Sequence, residues 1–125
     1  MIESFNNHFK QICSNLNSKK KVFVLGLSGG LDSMTLLYLL KRFLENNNKF
    51  EIEIFPIIID HNIRQGSSKE ACQVQNLSQQ LGFKTTIKKI HCKIPSGNIQ
   101  DWARKKRRDI LCESTYELSA NLLLA

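Results

Sequence analysis

Paired cysteines are missing from this chain. Its four, Cys13, Cys72, Cys92 and Cys112, lie far apart with no C-x-x-C pair. That removes local support for a zinc knuckle, an iron–sulfur cradle or a dithiol redox site, and fits a reduced, cytoplasmic protein. No apolar stretch approaches the roughly 20 residues of a membrane span, and the first residues lack the apolar core of a secretory signal. The expectation is a cytoplasmic protein with no membrane partner. Acidic side chains are in deficit, 11 Asp and Glu against 18 Lys and Arg, for a net charge of +7. This balance favours polyanionic partners, nucleic acid or nucleotides, although an AT-rich genome would produce the same lysine excess. Internal repeats are absent, and the Asn-rich loop at Asn46 to Asn48 is too short to be low complexity. With 125 residues, 42% of them hydrophobic, there is room for one domain around one core.

Hydrophobic spacing then divides the chain. Ile2, Phe5, Phe9, Ile12 and Leu16 recur at helical intervals. Val22 to Leu27 is a short, nearly unbroken apolar run, as expected of a strand buried on both faces of a parallel sheet. Met34, Leu37, Leu40 and Leu44 resume a helical period after a glycine turn. Ile52 to Ile59 predicts a second strand, with Pro56 pointing to an edge or a bulge. Ser67 and Glu70 have capping-box spacing, and Ala71, Val74, Leu77 and Leu81 continue on one face until Gly82. Phe83 to Ile90 predicts a third strand, a helix follows from about Asn98, and Asn121 to Ala125 opens a fourth strand. Alternating strands and helices imply an α/β fold, a doubly wound parallel sheet with helices on both faces, whose ligands sit at the carboxyl ends of the strands.

Ser28-Gly29-Gly30-Leu31-Asp32-Ser33 joins the first strand to its helix. Glycines there expose backbone N–H groups beside the positive end of a helix dipole, and the hydroxyls of Ser28 and Ser33 can donate to phosphate oxygens. Asp32 would repel a phosphate unless a cation lay between them, which makes it a magnesium ligand candidate. The segment lacks the Gly-Lys-Ser or Gly-Lys-Thr ending of the Walker loop, so different phosphate chemistry is implied. Asp60-His61-Asn62-Ile63-Arg64 ends the second strand, where His61 and Arg64 could meet nucleotide or RNA phosphate, or Asp60 and Asn62 could simply form a turn. Arg104 to Arg108 are five consecutive cations, of which Arg104, Arg107 and Arg108 share one helix face. Lys105 and Lys106 fit a solvated surface, and Trp102 fits core packing better than a base-stacking platform.

Ser-Gly-Gly-x-Asp-Ser after a first strand resembles the pyrophosphatase loop of the N-type ATP pyrophosphatases. Asp60 to Arg64 followed by Gln65-Gly66-Ser67-Ser68-Lys69-Glu70-Ala71, and Asn98 to Arg104 with Arg107, resemble one branch of that superfamily, the tRNA(Ile)-lysidine synthases. Arg108 stands where that branch usually carries an aromatic residue. The resemblance implies an adenine nucleotide alpha hydrolase-like fold that binds ATP and Mg2+. It also implies that Ser28, Gly29, Gly30, Leu31, Asp32, Ser33, Asp60, His61 and Arg64 hold ATP, that Asp32 and Arg104 act in catalysis, and that Arg107 and Arg108 bind tRNA. The implied reaction adenylates the wobble cytidine of an isoleucine tRNA at its carbon 2 carbonyl oxygen and then joins free lysine to that carbon, giving lysidine. Residues 1–125 would be an incomplete N-type ATP pyrophosphatase domain, cut at the apolar run ending in Ala125 before a metal and adenylate motif and tRNA-selecting domains. The alternatives are a tRNA thiolase on the same fold, for which the cysteines show no arrangement, and a non-catalytic nucleotide- or RNA-binding remnant.

Overall fold

The computed structural model describes residues 2–15, 20–27, 31–46, 51–61, 66–91, 93–120 and 122–124, with backbone alone at 2, 3, 15, 20, 31–33 and 122–124. Among the described residues, four parallel strands, β1 (Lys20–Leu27), β2 (Glu51–Asp60), β3 (Thr86–Lys89) and β4 (Leu122–Leu124), form one sheet in the order β3-β2-β1-β4. The helices are α1 (Ile2–Asn15), α2 (Leu31–Asn46), α3 (Ser67–Gln80) and α4 (Ile99–Glu117). The doubly wound expectation is met, with the strand order reversing at β1.

Apolar side chains of β1 are needed on both faces, which is why its run is almost unbroken. Phe23, Leu25 and Leu27 face the larger core with Ile54 and Ile58 of β2, covered by Phe9 and Cys13 of α1, Leu37, Leu40 and Phe43 of α2, and Ala71 of α3. Val24 faces the other way and packs with Ile57, Ile59, Ile90 and Leu111, flanked by Trp102 and Ile110. Helices α1 to α3 therefore cover one face and α4 the other. Trp102 packs against the second core, as its sequence context suggests. No described helix is long and apolar enough to cross a membrane.

Four local expectations are corrected. Strand β3 begins at Thr86, three residues later than Phe83, because the intervening groups are spent closing α3. The amides of Gly82 and Phe83 bond the carbonyls of Gln79 and Ser78 at 2.9 and 3.2 Å, with Gly82 at φ 95°, the left-handed closure in which glycine carries no Cβ penalty. Ser78 and Thr85 join side chains at 2.5 Å, and Gln75 donates to the Thr85 carbonyl at 2.9 Å. Ser78 thereby takes the inward position on α3, and Leu77 is left half exposed. The N-cap of α3 is Gly66, with no side-chain cap bond, so Ser67 and Glu70 form no capping box. Pro56 lies in a strand flanked on both sides, yet β3 pairs only from Ile57 onward. At Pro56, β2 still has a free side on which a missing N–H breaks no ladder bond.

Candidate functional site

A cavity of about 290 Å3 opens at the carboxyl ends of β1 and β2, at the low end of the volumes typical of small-molecule sites. Leu27, Ile58, Ala71 and Val74 supply its apolar wall, and Asp60, His61, Ser67, Glu70 and Arg107 its polar rim. Strands β1 and β2 bring Leu27 and Asp60 to the same edge by parallel pairing, with Leu27 beside Ile58 in the register. Helix α2 starts at Leu31, four residues after β1 ends, so its positive dipole end follows directly on the strand that lines the cavity.

Asp60 is only 4% exposed. Its carboxylate accepts a hydrogen bond from the Ser68 hydroxyl at 3.0 Å, and Ser68 accepts one from Lys89 Nζ at 3.2 Å. Its carbonyl accepts from the Ile90 amide at 2.9 Å. Asp60 therefore ties β2 to the first turn of α3 and to β3, and shapes the cavity wall. Next to it, the half-buried His61 has an Nδ1 with no hydrogen-bond partner among the described residues. Burial foremost, and then the Arg107 charge, hold its pKa below the ordinary 6.5, against an opposite pull from Asp60. At neutral pH the ring is uncharged and offers one acceptor nitrogen.

The cation run of α4 is divided by the fold. Ala103, Leu111 and Ser114 are buried, and Arg107 falls on the same inward stripe, half-buried and lining the cavity. Arg104, Lys105 and Arg108 are exposed, and Lys106 is half-buried. Helical spacing puts Arg104, Arg107 and Arg108 on one side of α4, and burial grades that side: Arg107 is half-buried at the cavity, whereas Arg104 and Arg108 are exposed. The backbone of Leu31, Asp32 and Ser33 forms the first turn of α2, whereas Ser28, Gly29, Gly30 and Arg64 lie outside the described residues. Sequence reading missed Ser68 as the Asp60 partner, Glu70 and Val74 as cavity residues, and Gly26, whose open Cβ position lies against Arg107 and Leu111 of α4. A lone glycine inside an apolar strand was the available signal for that approach.

Parallel strands reversing at β1, helices on both faces and a polar-rimmed cavity over the strand ends define a doubly wound α/β domain, and its fold resembles the adenine nucleotide alpha hydrolase-like class. The family model of the PP-loop domain matches residues 1–125. The chain belongs to that family. It is 33% identical over 124 residues to the tRNA(Ile)-lysidine synthase of Rickettsia africae (strain ESF-5), covering 99% of this chain and 25% of that protein. The same enzyme of Rickettsia felis (strain ATCC VR-1525 / URRWXCal2) is 32% identical, with 99% and 28% covered. The chain thus spans about a quarter of the length of these relatives. Among solved structures, the U34-tRNA thiolase NcsA from Methanococcus maripaludis, with its 4Fe–4S cluster, superimposes with a TM-score of 0.75 at 18% identity, over 98% of this chain and 43% of that one. At that identity the likeness concerns the fold.

Proposed function

We propose that this domain binds ATP for a tRNA(Ile)-lysidine synthase. The observation that carries the reading is the cavity at the carboxyl ends of β1 and β2, rimmed by Arg107 and His61 and lined by Leu27, the last residue of the strand that precedes α2, whose first turn contains Asp32. In this reading the apolar wall and the neutral His61 receive the nucleoside. Ser28 to Ser33 hold the phosphates through backbone amides and hydroxyls. Arg107 supplies the positive charge at the cavity, while the exposed Arg104 and Arg108 face RNA phosphate. Asp32 offers the carboxylate oxygen that a hard divalent cation such as Mg2+ takes, and the ion would neutralise phosphate charge there.

The reaction proposed for the longer protein proceeds in two displacements. The carbonyl oxygen on carbon 2 of the wobble cytidine attacks the α phosphorus of ATP and releases pyrophosphate. The ε-amine of free lysine then attacks that carbon, AMP departs with the oxygen, and the amine loses its proton. This domain's share is to orient ATP and stabilise charge. The thiolase reading is favoured by the fold neighbour alone, and the described free cysteines, Cys13, Cys72 and Cys112, sit on three different helices.

The decisive experiment gives the full-length protein MgATP, lysine and unmodified isoleucine tRNA and measures tRNA-dependent pyrophosphate release together with lysidine in a nuclease digest. Asp32→Asn should abolish both with the fold intact. Near wild-type activity of that variant would remove Asp32 from the site, and lysidine made by the 125-residue domain alone would overturn the division of labour.

A further inference from the structure

Glycine inside a strand weakens it and commonly marks a place where something approaches the backbone closely. Gly26 is buried between Leu25 and Leu27 of β1, and what approaches it is α4. A Cβ on Gly26 would stand 2.7 Å from Arg107 Nη2, 3.3 Å from its Cζ and 2.7 Å from Leu111 Cδ1, against about 3.5–4.0 Å for an ordinary carbon contact. The same arginine lines the cavity with Asp60 and His61.

We infer that Gly26 is a positioning residue for this site: its missing side chain is the seat across which the Arg107 guanidinium reaches from α4 to the cavity, so that residue 26 decides where the site's cation stands. A planar guanidinium suits such a seat, since it can lie flat against backbone where a side chain would otherwise stand. The seat also separates Arg107 from the rest of the cation run. Arg104, Lys105 and Arg108 turn to solvent, and of these five neighbours Arg107 is the one that the cavity contains. The inference deepens the ATP reading by naming what holds the cation, but the geometry it rests on does not depend on that reading.

His61 reports on the arrangement. Among the described residues, the charged groups around it are Asp60 at the end of β2, Glu70 of α3 on the same cavity, Arg107 of α4, and Lys89 of β3 linked through Ser68 to Asp60. Of these, Arg107 lowers the imidazole pKa and Asp60 raises it. Moving the guanidinium away must therefore raise the His61 pKa.

The test is an imidazole NMR titration of the 125-residue chain, with His61 distinguished from His8 and His91 by His61→Gln. Arg107→Gln should raise the His61 pKa, and Arg104→Gln should leave it unchanged. Gly26→Ala should raise it in the same direction, Gly26→Val by as much as Arg107→Gln, and neither should add to Arg107→Gln in a double variant. The three atoms that a Cβ would meet all belong to the outer ends of the Arg107 and Leu111 side chains, with no backbone among them, so Gly26→Ala should keep the fold, which its amide spectrum verifies. A wild-type His61 pKa in Gly26→Ala and Gly26→Val, or effects that add to that of Arg107→Gln, would overturn the inference. Titrating the same samples with MgATP separates the two readings. Binding about tenfold weaker in Gly26→Ala, the loss of one charge-assisted contact, supports both. A shifted pKa with unchanged binding refutes the nucleotide role and leaves the seat standing.

Discussion

Replacing Phe9 by alanine tests how α1 is held to the sheet. Phe9 is 3% exposed. Its ring packs on three others: Phe5 at 5.7 Å in a stack, Phe23 of β1 at 5.3 Å with the rings tilted, and Phe43 of α2 at 4.8 Å edge to face. Removing a buried phenyl group costs about 3–5 kcal/mol, and three favourable ring pairs, each contributing about 0.5–1.5 kcal/mol beyond area, place Phe9→Ala in the upper half of that range. A chain of this length has a total stability of roughly 6–19 kcal/mol at about 0.05–0.15 kcal/mol per residue, so a loss of ~4 kcal/mol is a large fraction of it. With a urea slope of about 2 kcal/mol per molar, the unfolding midpoint should fall by about 2 M. Phe5→Ala is the control. That residue is half-buried with one ring partner, and its loss should cost about 1–2 kcal/mol. Circular dichroism across a urea series reads both. A midpoint shift below about 0.5 M for Phe9→Ala, or equal shifts for the two variants, would mean that α1 does not dock on β1 and α2 through this ring cluster.

Other expectations follow from the helix ends, the buried hydroxyl pair and the titrating groups. Ser119 closes α4 at φ 52°, with its amide bonded to Tyr116 and that of Ala120 to Thr115. Ser119→Gly should therefore raise stability by about 0.5–1 kcal/mol in urea unfolding, and a decrease would contradict the left-handed closure. Ser78 and Thr85 are both buried and bonded to each other. Ser78→Ala and Thr85→Val should each cost about 1–3 kcal/mol, with the double variant well short of the sum; strict additivity would disprove the pairing. Stability should be highest between pH 6.5 and 9.0, the ordinary values of His61 and Cys13. Below 6.5 the unfolded chain takes a proton that native His61 resists, so stability is lost as pH falls towards the lowered native pKa. Above 9.0 the unfolded chain ionises Cys13 first, because burial raises the native thiol against a weaker opposite pull from Lys21, and stability is lost as pH rises through the raised pKa. His61→Gln should flatten the acid limb and Cys13→Ala the alkaline one, both read from urea midpoints across pH.

Much of the fold is legible in the chain because it follows from neighbours in sequence. The unbroken run before Ser28 marks a strand covered on both faces, and the period through Leu37 and Leu40 marks a helix with one buried side. Gly82 closes α3 because its own backbone freedom permits the left-handed turn. Ser28 to Ser33 likewise combine glycines, hydroxyls and a carboxylate in one short segment, the pattern from which a phosphate loop is proposed. These are properties of local periodicity and turn chemistry, which adjacent residues carry without reference to the rest of the chain.

Tertiary structure decided what depends on residues distant in the chain. Pro56 is accommodated in β2 because β3 pairs only from Ile57, a matter of where another strand begins. Ser119 adopts the left-handed turn with no glycine to announce it, because the chain must leave α4 for β4 at that point. Ser68 bonds Asp60, and no capping box forms, because β2 ends against the first turn of α3. Helical spacing groups Arg107 with Arg104 and Arg108, but the space above Gly26 turns Arg107 alone among them to the cavity. Which cation of five reaches the site is a steric decision made between β1 and α4, and it exists only once the two have packed together.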